Sequence, residues 1–132
     1  LLALAHVVSS HCPLTAETRH IMCKETIEQM PLGSYLVNTS RGAVVDTGAI
    51  PGAIASGRLA GAGIDVLEHE PPPPDDPLIA AWRNPRHPAH QRVIVNPHTA
   101  FYSEEGLMDM RVKGAEACRR ALLGLPLRNV VN

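Results

Sequence analysis

Four short runs rich in β-branched residues, Val7-Val8, Tyr35-Leu36-Val37, Gly63-Ile64-Asp65-Val66 and Val93-Ile94-Val95, recur at nearly even intervals. Taking Val8, Val37, Ile64 and Ile94 as centres, the intervals are 29, 27 and 30 residues. That is close to what a parallel strand, a crossover helix and two loops require. The repetition predicts three successive βαβ steps and an α/β fold with a parallel sheet of about four strands.

The segments between the runs mostly support this. Cys23, Ile27 and Met30 recur at helical spacing, and Pro31 with Gly33 ends that run. Asp46 is suited to cap a short helix with Ile50, Ala53 and Ile54 inward, ending at Gly57. A proline beyond the first turn costs a helix about 3 kcal/mol, so Pro51 predicts that this helix is short, kinked or irregular at its start. The run Pro71-Pro72-Pro73-Pro74 excludes helix and central strand, Asp76 can cap a brief helix through Leu78, Ile79 and Trp82, and Asn84 to Gln91 reads as loop. A last, long helix is capped by Ser103, has Glu104 and Glu105 in its first turn, and is stopped by Gly124 and Pro126. Its stripe of Leu107, Met110, Gly114, Cys118 and Ala121 reads as core packing.

Charge and composition narrow the function classes. The 132 residues carry 12 Lys+Arg against 13 Asp+Glu, and Tyr35, Trp82, Phe101 and Tyr102 are the only aromatics. Neither a polybasic surface nor a stacking platform for nucleic acid is present. No uninterrupted apolar stretch approaches the roughly 18 to 20 residues that cross a bilayer, and no basic segment precedes the Leu1-Leu2-Ala3-Leu4-Ala5 run. Three cysteines, Cys12, Cys23 and Cys118, lack metal-ligand spacing and suit a reducing cytoplasm better than a disulfide framework. Opening on Leu1 inside an apolar run, the chain reads as a piece of something longer.

In an open parallel α/β sheet the ligand crevice lies outside the carboxyl ends of the strands. Those junctions hold Ser9-Ser10-His11-Cys12-Pro13, then Asn38-Thr39-Ser40-Arg41-Gly42, then Asp65 with Glu68-His69-Glu70-Pro71, then Asn96-Pro97-His98-Thr99. Arg41 offers a planar fork that matches a carboxylate in two places, which orients an acid substrate. His98 can pass a proton to or from a hydroxyl or carbonyl oxygen, an effect worth roughly 10² to 10⁴ in rate. Glu70 can hold that imidazole, and a neighbouring carboxylate favours its protonated form. Taken singly, Arg41 reads as a surface ion-pair partner and His98 as a loop histidine. Their joint placement at successive strand ends points instead to redox chemistry at a carbon bearing oxygen, with hydride exchanged by a nicotinamide. His87 and His90 are open to reading as metal ligands, but the loop around them supplies no third ligand and no metal is expected. Cys12 beside His11 is a poor nucleophile and base pair, because adjacent residues at a strand end point apart.

The segments His11-Cys12-Pro13-Leu14-Thr15 with Glu17-Thr18-Arg19-His20, Leu36 to Gly42, Gly63 to Val66 through Glu70-Pro71, and Asn96-Pro97-His98 together resemble the D-isomer-specific 2-hydroxyacid dehydrogenases. Phe101-Tyr102-Ser103-Glu104-Glu105 and the closing Leu127 to Asn132 look most like the C-terminal-binding-protein-type branch, although Phe101 stands where that branch usually shows Trp. The resemblance implies the second half of a Rossmann-like doubly wound parallel sheet plus a long C-terminal helix. Residues 1–102 would be the C-terminal part of a dinucleotide-binding domain, without its Gly-rich loop, and residues 103–132 a return helix and tail toward a missing substrate domain. It further implies Arg41, Glu70 and His98 as the catalytic residues. Cofactor contacts would come from Cys12, Pro13, Leu14, Thr15 and Thr18, from Thr39, Ser40 and Arg41, from Asp65, and from His98, Thr99, Ala100 and Phe101. The cofactor is expected to be NAD, with NADP left open because the ribose-reading residue is not among these residues. The expected partner is a small 2-keto or 2-hydroxy acid, and the intact protein is expected to be a homodimer. Two other readings stay open, an NAD-sensing corepressor-like binding protein and an inactive truncated product. In the familiar 3-2-1-4-5-6 order the strand around Val8 would be the fourth, and because its inner neighbour is not among these residues it is expected to be left at an edge, which invites pairing with another chain.

Overall fold

The computed structural model describes residues 1–128 and 130. It divides into two compact units, Leu1–His98 and the segment from Thr99 onward. In the first unit, β1 (Val7–Ser10), β2 (Ser34–Asn38), β3 (Leu59–Ile64) and β4 (Val93–Val95) form one sheet in the order in which they occur along the chain. Every neighbouring pair is parallel, with Val8 opposite Leu36, Leu36 opposite Ala62, and Ala62 opposite Val93. The α/β fold read from the spacing is therefore present, with β1 at one edge and β4 at the other.

Alternation along the strands sorts the two faces of this sheet. Leu36, Ala62, Ile64 and Val93 point to the side where α1 (Lys24–Ile27), α2 (Ile50–Ala55) and α3 (Pro77–Arg83) supply Ile27, Ile50, Ile54, Leu78 and Ala81 to one core. The opposite face carries Val7, Tyr35 and Ile94, whose exposures are 60%, 51% and 68%. Each crossover has its own stop signals. Asp46 accepts from the Gly48 N–H to start a 3-10 turn, Thr47–Ala49, which runs into α2 with Pro51 in its first turn, where the missing N–H costs nothing. The irregular start expected from Pro51 is thus a 3-10 entry. Asp76 caps α3 through the Ile79 N–H at 2.9 Å.

Four expectations are corrected. The helix expected through Cys23 to Met30 is only Lys24–Ile27, started by a capping box in which the Thr26 hydroxyl accepts from the Cys23 N–H and cut short ahead of Pro31. The third strand begins at Leu59 and ends at Ile64, so Asp65 lies just past it. Within Asn84 to Gln91, expected as loop, Pro88–Gln91 is a 3-10 helix whose first turn is capped by the His87 ring. In the second unit α4 (Glu104–Leu122) is capped by Ser103 as expected, yet none of its residues is buried and Met110 is 52% exposed. A single helix cannot bury its own apolar stripe, so the Leu107-to-Ala121 stripe is not core within this chain. Asn129, Val131 and Asn132 of the closing motif lie outside the described residues.

Candidate active site

The carboxyl ends of β2, β3 and β4 are joined by main-chain hydrogen bonds that continue past the strands. Asp65 N–H donates to the Asn38 carbonyl at 3.0 Å, Asn96 N–H to the Ile64 carbonyl at 2.9 Å, and His98 N–H to the Asp65 carbonyl at 2.8 Å. Asn38, fully buried, organises the first of these ends. Its side-chain oxygen accepts from the Ser40 N–H and hydroxyl, and its amide donates to the Arg41 carbonyl at 2.9 Å. The segment carrying Arg41 is thus shaped by a turn built on a buried strand-end asparagine. Sequence reasoning did not single out Asn38, although an Asn followed two residues later by Ser at a strand end is the signal of such a turn.

Cys12, Pro13, Leu14, Thr39, Ser40 and Arg41, all expected as cofactor contacts, line an open groove of about 570 Å³ together with His11. The groove lies at the carboxyl ends of β1 and β2, has both apolar walls and polar groups, and fits an elongated polar ligand. The His11 ring bonds to the Ser9 hydroxyl at 2.8 Å. Thr15 and Thr18 do not line the groove. They close the loop beside it, with the Thr18 hydroxyl donating to the Pro13 carbonyl and accepting from the Thr15 N–H, each at 2.7 Å. Arg41 is exposed and its guanidinium donates to the Ser40 carbonyl at 2.7 Å. Thr99, Ala100 and Phe101 belong to the second unit, where the Phe101 and Tyr102 rings stand 6.1 Å apart.

Glu70 and His98 come together as the strand-end pattern suggested. The His98 Nδ1 lies 2.8 Å from the Glu70 Oε2, and the other carboxylate oxygen accepts from the Leu67 N–H at 2.9 Å. His98 has φ 56, a left-handed backbone uncommon for a residue with a side chain. Burial pushes the Glu70 carboxyl up, but the hydrogen bonds from His98 and the Leu67 N–H outweigh it and hold the group below the ordinary glutamate value. Both side chains remain partly exposed, at 45% and 39%, so the pair is open to solvent and substrate. Gly42, directly after Arg41, packs so closely on the Leu67 carbonyl and the Glu68 nitrogen that a Cβ would overlap them. This contact brings the Arg41 loop against the turn that carries Glu70.

A second cluster went unnoticed in the sequence. Glu68 pairs with the Arg19 guanidinium through one oxygen and with the His20 Nε2, at 2.8 Å, through the other. The hydrogen bond from His20 is the main cause of the lowered Glu68 carboxyl, with Arg19 adding to it. Because Glu68 and Glu70 both titrate lower folded than unfolded, they stabilise the fold fully above about pH 4.5 and less as pH falls through their folded values. Urea midpoints are expected to drop between pH 5.5 and pH 3, and to drop less in a Glu68→Gln, Glu70→Gln double variant. Equal drops in the two proteins would remove this account.

Among the described residues, no three His, Cys, Asp or Glu side chains are grouped as a metal would need. His87 accepts from the Ala89 N–H and His90 donates to the Trp82 carbonyl, so both rings serve the 3-10 helix. No helix among the described residues is long and apolar enough to cross a membrane.

Comparison with known proteins matches residues 1–100 to the family described as D-isomer specific 2-hydroxyacid dehydrogenase, NAD binding domain. The chain is 39% identical over 135 residues to a D-lactate dehydrogenase of Treponema pallidum, covering 96% of this chain and 39% of that protein. A solved Treponema pallidum D-lactate dehydrogenase superposes with a TM-score of 0.85 at 35% identity, over 100% of this chain and 41% of the other. D-lactate dehydrogenase from Aquifex aeolicus, solved with NAD and lactic acid, gives a TM-score of 0.78 at 31% identity over 93% of this chain and 39% of that one. The chain spans about two-fifths of the length of these relatives.

Proposed function

Because the chain belongs to the D-isomer specific 2-hydroxyacid dehydrogenase family, within its NAD-binding domain, we propose that it supplies the cofactor-facing groove and the proton-transfer pair of an oxidoreductase that interconverts a 2-keto acid and a D-2-hydroxy acid. The observation that carries this reading is the 2.8 Å contact between His98 and Glu70, on a turn packed against the Arg41 loop. In the reducing direction a bound nicotinamide supplies the hydride to the carbonyl carbon. His98 delivers a proton to the carbonyl oxygen, which becomes the hydroxyl, and Glu70 holds the ring by accepting at Nδ1. Arg41 binds the substrate carboxylate and polarises the carbonyl as charge grows on its oxygen. The groove residues Cys12 to Leu14 and Thr39 to Arg41 would hold the cofactor.

Arg41→Ala tests the substrate assignment. A charged hydrogen bond is worth about 1.5 to 3 kcal/mol, so kcat/KM for a small 2-keto acid is expected to fall roughly 10- to 100-fold in assays of NADH consumption. An unchanged kcat/KM would falsify the role given to Arg41.

The narrower C-terminal-binding-protein-like reading is supported only by the run Phe101 to Glu105 and the closing Leu127 to Asn132. An NAD-sensing corepressor would need no proton donor, and the joint presence of Arg41, Glu70 and His98 ranks the enzyme first. The three free cysteines support a reducing, cytoplasmic setting.

A further inference from the structure

We propose that Glu68 is a positioning residue that sets the Glu70–His98 pair, an inference that rests on the proton-transfer reading above. Glu68 sits midway between Leu67, whose N–H is held by Glu70, and Glu70 itself. While the Glu70 side chain reaches forward to His98, that of Glu68 reaches back to another distant segment, Arg19 and His20. That segment is firmly placed, because the His20 N–H donates to the Ala43 carbonyl at 2.8 Å and Met22 bridges in parallel to Val45. Ala43 follows Gly42, on which the Leu67 and Glu68 backbone rests. The turn is therefore gripped from two sides, by backbone against Gly42 and by the Glu68 carboxylate against Arg19 and His20.

The chemistry of this grip favours position over charge. A carboxylate that uses one oxygen for a guanidinium and the other for an imidazole is fixed in rotation as well as in place. With the Leu67 and Glu68 end of the turn held, the Leu67 N–H is presented to the Glu70 Oε1, and the Oε2 is left to meet His98. Loss of the grip lets the turn sample other arrangements, and the acid is then oriented for only part of the time. Substrate binding through Arg41 is untouched, so the effect falls on kcat and spares KM.

The test compares Glu68→Gln, which removes the charge, with Glu68→Asp, which keeps it but shortens the reach. Both are expected to lower kcat roughly 10- to 50-fold while KM for the keto acid stays within about threefold. Both should also weaken the low-field Nδ1–H proton resonance of His98, assigned by its disappearance in His98→Ala. Activity within twofold of the parent in both variants overturns the proposal, as does a fall in kcat with that resonance unchanged. Should neither Glu68 variant fold, Arg19→Ala with His20→Ala removes the same grip from the opposite side, and the same two readouts decide. If His98→Ala itself retains turnover, the proton-transfer reading fails, while the resonance still reports whether Glu68 places the pair.

Discussion

Replacing His98 with Ala is expected to lower kcat for keto acid reduction by 10² to 10⁴, the usual worth of a positioned acid or base. The nitrogen that faces Glu70 decides which ring atom is left for substrate. With Nδ1 bonded to the carboxylate at 2.8 Å, Nε2 would be the atom to exchange a proton with substrate oxygen in the proposed role. The left-handed backbone at His98 and the bond from its N–H to the Asp65 carbonyl fix where the ring starts from. Alanine keeps neither the proton nor the partner for Glu70. Since the side chain is 45% exposed, its removal leaves no buried cavity and the fold should survive. Steady-state kinetics beside a thermal melt separate the two effects. Undiminished turnover in a folded variant would remove His98 from the mechanism.

The second large effect is expected at Gly42. A methyl group there would occupy the space of the Leu67 carbonyl and the Glu68 nitrogen, which are backbone atoms and cannot rotate away. Overpacking of this kind costs typically 1 to 3 kcal/mol, and a backbone obstacle places Gly42→Ala at about 3 kcal/mol. For a domain of this size that is a fall in Tm on the order of 10 °C. Gly52 gives the control, because it lies in α2 with nothing near the position of a Cβ. Gly52→Ala should leave stability unchanged or raise it by up to about 1 kcal/mol. Urea denaturation of both variants decides the matter, and equal midpoints would show that the Gly42 contact relaxes freely. The site should suffer with the fold, since the displaced turn is the one that carries Glu70.

Much of this architecture is written locally. The strands around Val8, Val37 and Ile94 declare themselves by β-branched residues, and Asp76 and Ser103 cap helices where a short polar side chain precedes an apolar stretch. The start of β3 was hidden, because Leu59-Ala60-Gly61-Ala62 lacks the bulk that marks a strand. Gly61 is small for a reason that only the fold reveals, since the Tyr35 ring and the Arg92 carbonyl crowd its position. In the site, the strand-end rule found Glu70 and His98 because each stands just beyond a recognisable strand. It listed Glu68 at a strand end without a role and did not reach its partners Arg19 and His20, which are far from it in sequence and resemble ordinary solvated charge. Tertiary pairing of that kind leaves no local period or motif. The stripe on α4 erred the other way, since amphipathic spacing states what a helix can bury without stating against what.

The order of the sheet bears on how the chain acquires its chemistry during synthesis. Because β1 to β4 are neighbours in the same sequence in which they are translated, each strand emerging from the ribosome finds the edge it needs already laid down. No strand has to wait for a later one or be threaded between two earlier ones. Arg41 is in place after the second addition, Glu70 after the third, and His98 only when β4 has docked. Arg41 would therefore be positioned well before the Glu70–His98 pair, which closes only as the last of these four strands is added.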